Sequence, residues 1–269
     1  MPTVRMRPPL PMDSNLVQGF DEAQAVYSGP TQNARVLSES WILSWGFCPN
    51  CGQGGLDRFQ NNNPGADFSC RTCKEVFELK CKNGQFGPRI LDGAFRSMQE
   101  RLLSDATPNL MLMTYNIREL AVRNLFVVPK HFFTPELIQE RKPLPATARR
   151  AGWIGCNILL KDIPESGRVF MIRDGRRVNK DEILTNWQRT LFLKEQAVTG
   201  RGWLIEVMRC IDTIGRPEFS LDEIYAFEPR LCARYPENNH VRPKIRQQLQ
   251  VLRDSGYLEF QGRGQYRLK

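Results

Sequence analysis

Long apolar runs are missing from this 269-residue chain: none reaches the roughly eighteen residues that a membrane-crossing helix needs, so no span is expected. An export signal is also unexpected. Arg5 and Arg7 are followed by Pro8, Pro9 and Pro11 rather than by an apolar core. Histidine is scarce, with only His131 and His240, both remote from the cysteine pairs, and neither is assigned a catalytic or metal role. No internal repeat is visible. Acidic residues are outnumbered, 29 against 38 basic, leaving a net charge of +9. That excess favours a polyanionic partner, nucleic acid being the simplest, although a basic protein can also be merely basic.

What is present begins with eight cysteines. Without an export signal they point to metal binding or buried thiols rather than disulfides. Cys48-x2-Cys51 and Cys70-x2-Cys73, with eighteen residues between the pairs, have the spacing of a four-thiolate tetrahedral zinc site. Each tight knuckle turn brings two thiolates onto one ion, and Gly52 suits the first turn. With four thiolates no ligand position is left open, so the ion is read as structural. Cys81, Cys156, Cys210 and Cys232 stand singly among apolar neighbours and are read as small core residues.

The same segment carries Asp67, Glu78 and Lys80. Residues 76–82 alternate like a strand, which puts Glu78 and Lys80 on one face. Asp67, eleven residues ahead of Glu78, comes within reach if a hairpin containing the second knuckle closes. Two carboxylates suit Mg²⁺, a hard cation, and a neighbouring lysine can orient a nucleophilic water or neutralise developing charge during phosphodiester hydrolysis. Taken alone, D-x10-E-x-K also arises by chance, and a surface salt bridge on a strand satisfies it equally.

Residues 1–30 are proline-dotted and weakly periodic, and are expected to be a partly disordered extension. Ala34, Leu37, Trp41 and Ile42 predict a helix over 32–45. Ile90, Leu91, Ala94, Met98 and Leu102 trace a second helix face. Short buried strands are expected at 110–115 and 125–128. The result is a mixed α+β (α/β) domain over 31–196. Most of the excess charge lies in 140–180, where ten basic residues face four acids for a net +6. Within it, Arg149, Arg150 and Trp153 form a cationic segment with an aromatic between glycines, either a wedge against bases or a core tryptophan under a loop.

A new pattern starts near residue 197. Leu204, Val207, Met208 and Ile211 form one stripe; Ser220 and Glu223 make a capping box opening a helix to 227; a third helix covers 238–254. Leu258 and Phe260, a Gly262-Arg263-Gly264 tip, then Tyr266 and Leu268 alternate like a hairpin. Three helices followed by a hairpin is the order of a winged helix over 197–269. On the third helix, Gln247 centres the face opposite Ile245 and Leu249, with Gln250 near it and Arg242, Lys244 and Arg246 around it. Glutamine and arginine can read adenine and guanine edges, flanking cations can hold phosphates, and Arg263 sits at the wing tip. A solvated polar face is the plainer alternative.

FCPNCG (47–52), ADF (66–68), FELK (77–80), RKPLPATARRAGWIGCN (141–157) and IRQQLQVLRD (245–254) together resemble the DpnI family of methyl-directed restriction endonucleases, over about 32–269. The resemblance implies a PD-(D/E)XK nuclease core with a zinc site, then a winged helix. It implies Mg²⁺-dependent cleavage of double-stranded GATC carrying N6-methyladenine, inside a prokaryotic cytoplasm and without an obligatory protein partner. By motif, Asp67 and Glu78 would hold Mg²⁺ with the Leu79 carbonyl as a third ligand, and Lys80 would be the catalytic lysine. Ala66 stands where the superfamily often has proline. Burying one methyl group is worth about 0.8 kcal/mol, roughly fourfold, so selectivity is expected to combine both methyls with two reading surfaces, one per domain. The competing expectation is a non-catalytic, zinc-containing winged-helix regulator, which has no need of Asp67, Glu78 and Lys80.

Overall fold

The computed structural model describes residues 30–269 apart from 61–64, 105, 117 and 120. The extension expected over 1–30 therefore lies, all but its last residue, outside the described residues.

A helix α1 (Pro30–Trp45) leads into the cysteine region and three strands, β1 (Asp57–Arg58), β2 (Phe68–Ser69) and β3 (Val76–Asn83). Then come β4 (Ile90–Ala94), α2 (Phe95–Leu103), β5 (Asn109–Asn116) and β6 (Ala121–Val128). β7 (Ile138–Glu140), β8 (Gly155–Ile158), β9 (Val169–Arg173), β10 (Arg176–Arg177) and α3 (Lys180–Gln188) complete the first part. The main sheet has the order β1-β2-β3-β5-β6-β9-β10, with β3 and β5 parallel and every other neighbour antiparallel.

β5 is buried along nearly its whole length, which accounts for the apolar run Leu110–Met113 at its centre. Its residues alternate between two cores: Met111 and Met113 pack with Leu37, Trp41 and Ile42 of α1 and Ile183 and Trp187 of α3. Leu110 and Leu112 pack with Met98 and Leu102 of α2 on the opposite face. That second face also carries a small sheet of order β4-β8-β7.

Residues 90–94 thus form a strand, and the predicted second helix begins only at Phe95. The apolar spacing fits a helix, but β4 finds its partner β8 far along the chain, pairing Asp92 with Cys156. Leu91, counted among the apolar positions, is 65% exposed.

α4 (Val198–Ile214), β11 (Glu218–Ser220), α5 (Leu221–Tyr225), α6 (Glu228–Arg234), α7 (Val241–Asp254), β12 (Leu258–Gly262) and β13 (Gln265–Leu268) form the second part. Ser220 and Glu223 close a complete capping box on α5. The helix expected to run to 227 stops at Tyr225, because Pro229 cannot extend it and instead starts α6. A third strand, β11, pairs with β13 beside the expected hairpin. The winged helix is present with one helix and one strand more than the sequence order implied.

α4 is apolar almost all round, with Trp203, Leu204, Ile205, Val207, Met208, Cys210 and Ile211 buried. It belongs to the same continuous core as α2, β8 and α7, so packing crosses residue 197. Polar groups follow it across. Arg209 joins Asp162 at 2.9 Å, the Glu165 amide donates to Asp212 Oδ2 at 2.7 Å, and Arg234 donates to the Glu136 carbonyl at 2.8 Å; Arg209 is steadied on its own helix by Glu206 at 2.6 Å. Burial raises the Asp212 carboxyl above its ordinary range, opposed by the backbone amides of Glu165 and Ser166.

Candidate active site and zinc knuckles

The first knuckle is closed by the Cys48 amide to the Gln53 carbonyl at 2.9 Å and the Gly52 amide to the Cys48 carbonyl at 2.8 Å. The second repeats it, Cys70 to Glu75 at 2.8 Å and Lys74 to Cys70 at 3.1 Å. Gly52 takes φ +75°, as the turn demands; Lys74 occupies the equivalent place at φ +61° and donates from Nζ to the Arg71 carbonyl at 2.7 Å.

The four Sγ atoms lie within 4.8 Å of one another, with Cys48–Cys73 and Cys51–Cys70 both at 3.5 Å. Tetrahedral zinc, with sulfur at about 2.3 Å, needs thiolates about 3.8 Å apart, so the geometry and the soft donors fit that ion. Burial pushes the Cys48 thiol well up; at Cys70 the Cys73 and Thr72 amides and the neighbouring thiols outweigh burial and bring it to about 7. Cys156 and Cys210 are buried and Cys81 is half-buried, but Cys232 is exposed on the outer side of α6 rather than in the core.

β2 and β3 pair as the predicted hairpin, Phe68 opposite Phe77 and Ser69 opposite Val76. Phe77 is buried towards α1, which leaves Glu78 and Lys80 on the face covered by α2 and β4. Asp67 is seated beside them through main chain: its amide donates to the Phe77 carbonyl at 2.9 Å, and its Oδ2 accepts from the Leu79 amide at 2.7 Å. Its Oδ1 is 3.5 Å from Arg35 of α1.

Lys80 Nζ lies 2.8 Å from Glu78 Oε1 and 2.9 Å from Asp92 Oδ1. Burial lowers the affinity of this ammonium for its proton, but Glu78 and Asp92 outweigh burial and hold it above its ordinary value. The groups here that could hold a cation are all oxygens, the Asp67, Glu78 and Asp92 carboxylates and the expected Leu79 carbonyl, which suits a hard divalent cation. Asp92 was missed by sequence reasoning, which placed it in a helix.

Two models of known families match this chain. The one described as the DpnI, Dam-replacing family covers residues 16–196, and the one described as the Dam-replacing helix-turn-helix domain covers 199–268. The chain belongs to the DpnI family. The match reaches back to residue 16, so part of the N-terminal stretch ahead of Gln32 belongs to the family as well. Membership makes this a restriction-endonuclease-like protein of the DNA-acting DpnI kind, with a DNA-binding winged helix and a four-cysteine cluster able to hold zinc.

The remaining candidate DNA contacts fall into two surfaces. Arg149 and Arg150 are exposed on the loop between β7 and β8, with the Arg150 guanidinium 4.7 Å above the Trp153 ring. Trp153 is half-buried and covers Gly155, where an added Cβ would come within 2.8 Å of the ring. It is therefore not a core residue but a half-buried ring packed between Arg150 and Gly155. On α7, Ile245 and Leu249 are fully buried while Arg242, Arg246, Gln247 and Gln250 are exposed.

Arg242 and Arg246 both stack near Tyr225, 5.0 and 5.7 Å from its ring, and Arg246 also donates to its hydroxyl. Arg242 pairs with Glu228 at 2.7 Å and Lys244 donates to Gln247 Oε1 at 2.8 Å. Arg263 is exposed at the wing tip, at φ +49° between Gly262 and Gly264. Tyr225, the common partner of the two arginines, carries no motif that would have singled it out. His131 is buried in the core, its Nε2 3.0 Å from Thr190 Oγ1 and its ring edge-on to Trp187.

Proposed function

We propose that this protein is a Mg²⁺-dependent type II restriction endonuclease. Its substrate is double-stranded DNA carrying N6-methyladenine at GATC, and both domains read the methylated site. The observation that supports the chemistry best is the meeting of Lys80 with Glu78 on β3, next to Asp67 on the hairpin, in a chain of the DpnI family. A regulator that only bound DNA would gain nothing from a half-buried lysine held between acids.

Asp67, Glu78 and the Leu79 carbonyl are the groups that would hold Mg²⁺. Magnesium, when bound, offsets charge on the scissile phosphate and polarises a water for in-line attack. Lys80 keeps its proton and orients that water while countering charge on the phosphoryl oxygens. The Cys48, Cys51, Cys70 and Cys73 thiolates, holding zinc, fix the hairpin that seats Asp67. Gln247 and Gln250 face bases in the major groove, Arg242, Lys244 and Arg246 exchange their internal partners for phosphates, and Arg263 reaches from the wing. Arg149, Arg150 and Trp153 contact DNA near the cut.

Among the described residues no helix is long and apolar enough to cross a membrane. The proposed place of work is the cytoplasm of a prokaryotic cell, with methylated DNA as the one required partner. The test is digestion with Mg²⁺ of one plasmid prepared with and without adenine methylation. The methylated plasmid is expected to give GATC-spaced fragments and the unmethylated one to stay intact. DNA left whole in both tubes would overturn the reading.

A further inference from the structure

We propose that Asp92 is a positioning residue for Lys80, the fixed anion that keeps the ammonium in place once Glu78 is engaged elsewhere; this rests on the nuclease reading above. The two acids that meet Lys80 differ in setting. The Glu78 side chain is 19% exposed, that of Asp92 only 5%. Asp92 Oδ1 takes the ammonium at 2.9 Å, and Asp92 Oδ2 is buried with no hydrogen-bond partner.

A buried carboxylate with one oxygen unpaired is costly, and a neutral side chain of the same shape would serve stability better. The cost is intelligible if the charge itself is needed. Asp92 also comes from a different element than the other site residues. β3 supplies Glu78 and Lys80, whereas Asp92 rides on β4, held on its far side by β8 through the Asp92–Cys156 pairing. Cys156 Sγ donates to the Gly93 carbonyl at 3.5 Å and reinforces that seat.

Lysine has four rotatable carbons and no geometry of its own, so something rigid must aim it. Its ammonium has three donors. Two meet Glu78 and Asp92, which leaves the third for the reacting water or phosphate. Glu78 is a candidate ligand for a divalent cation, and a carboxylate shared with a cation holds an ammonium weakly. Asp92, better buried and set on a separate strand, retains its hold.

The test uses the full chain loaded with zinc. Asp92→Asn is expected to lower the single-turnover cleavage rate on methylated DNA about a hundredfold, the scale of loss when a reacting group is misplaced by about 1 Å. Affinity for the same DNA, measured with Ca²⁺ in place of Mg²⁺, should stay within about threefold, zinc content should hold, and the melting temperature should not fall. Asp92→Glu should recover part of the rate. Melting without Mg²⁺ gives a readout independent of cutting. Lys80→Met strands Asp92 beside Glu78 and should lower the melting temperature, and adding Asp92→Asn should restore most of it. That pair decides even if Asp92→Asn alone folds poorly. Cleavage by Asp92→Asn within twofold of wild type, or melting shifts of the pair that simply add, would overturn this inference while leaving the nuclease reading intact. A wild type that cuts nothing removes both.

Discussion

At the scale of single residues, Lys80 is where charge, burial and position agree most closely. Lys80→Ala is expected to reduce cleavage at least a thousandfold while DNA affinity changes little, since the side chain is engaged by acids rather than displayed to solvent. Parallel cleavage and binding assays check this; a variant that still cuts at the wild-type rate sinks the assignment. His131 supplies a pH prediction. Burial, with Lys194, Arg201 and Lys130 nearby, lowers it to about 3, so the fold holds it neutral while the unfolded chain takes a proton below about 6.5. Its contribution is thus present above pH 6.5 and lost as pH falls towards 3, by about 1 kcal/mol per pH unit. His131→Gln should flatten that slope in urea unfolding between pH 6.5 and 4.5, whatever it costs at pH 7. Asp67 comes to Glu78 and Lys80 only through the β2–β3 hairpin, while the strand face those two share was legible because strand alternation is local. Asp92 was not, since only its pairing with a strand more than sixty residues later reveals its element.

At the scale of elements, the knuckles carry the clearest prediction. Cys70→Ser removes one of four thiolates whose metal affinity is also folding energy, and should lower the melting temperature by about 10 °C or more. Differential scanning calorimetry with a zinc assay checks it; a stable, fully active Cys70→Ser protein would count against a structural ion. On α7, Gln247→Ala should weaken binding to methylated GATC DNA about tenfold and barely affect unrelated duplexes, whereas Arg263→Ala should weaken both alike and lessen the salt dependence. Fluorescence anisotropy at several salt concentrations separates the two. Each C-x2-C knuckle, the capping box and the face of α7 were readable because each signal lies within a short stretch of contiguous chain. The break at Pro229 and strand β11 are less legible, for one rests on a single helix stop and the other on pairing with β13. Cys232 shows the limit of judging burial from neighbours: Leu231 beside it is fully buried while Cys232 turns outward.

At the scale of the whole molecule, the sequence boundary near 197 falls between the two family matches, yet the apolar core runs straight through it. The α4 stripe was visible as a helix face, but its second partner, the nuclease part, has no sequence signature. Arg209 sits in this seam with Asp162 and Glu206, whose side chains are 12% and 5% exposed. Arg209→Ala leaves both acids without that partner and should cost on the order of 3 kcal/mol, with earlier proteolytic cutting between the two parts and unchanged zinc content. Calorimetry and limited proteolysis check this, and an unshifted melt would show the seam to be incidental.

The knuckle hairpin has one consequence for the life of the protein. Asp67 stands three positions before Cys70, on a stretch too short to fold by itself. A copy stripped of metal by a chelator is therefore expected to keep Asp67 only by its bonds to Phe77 and Leu79, and to hold it more loosely. Hydrogen exchange at the Leu79 amide, which Asp67 accepts from, would report that loosening directly.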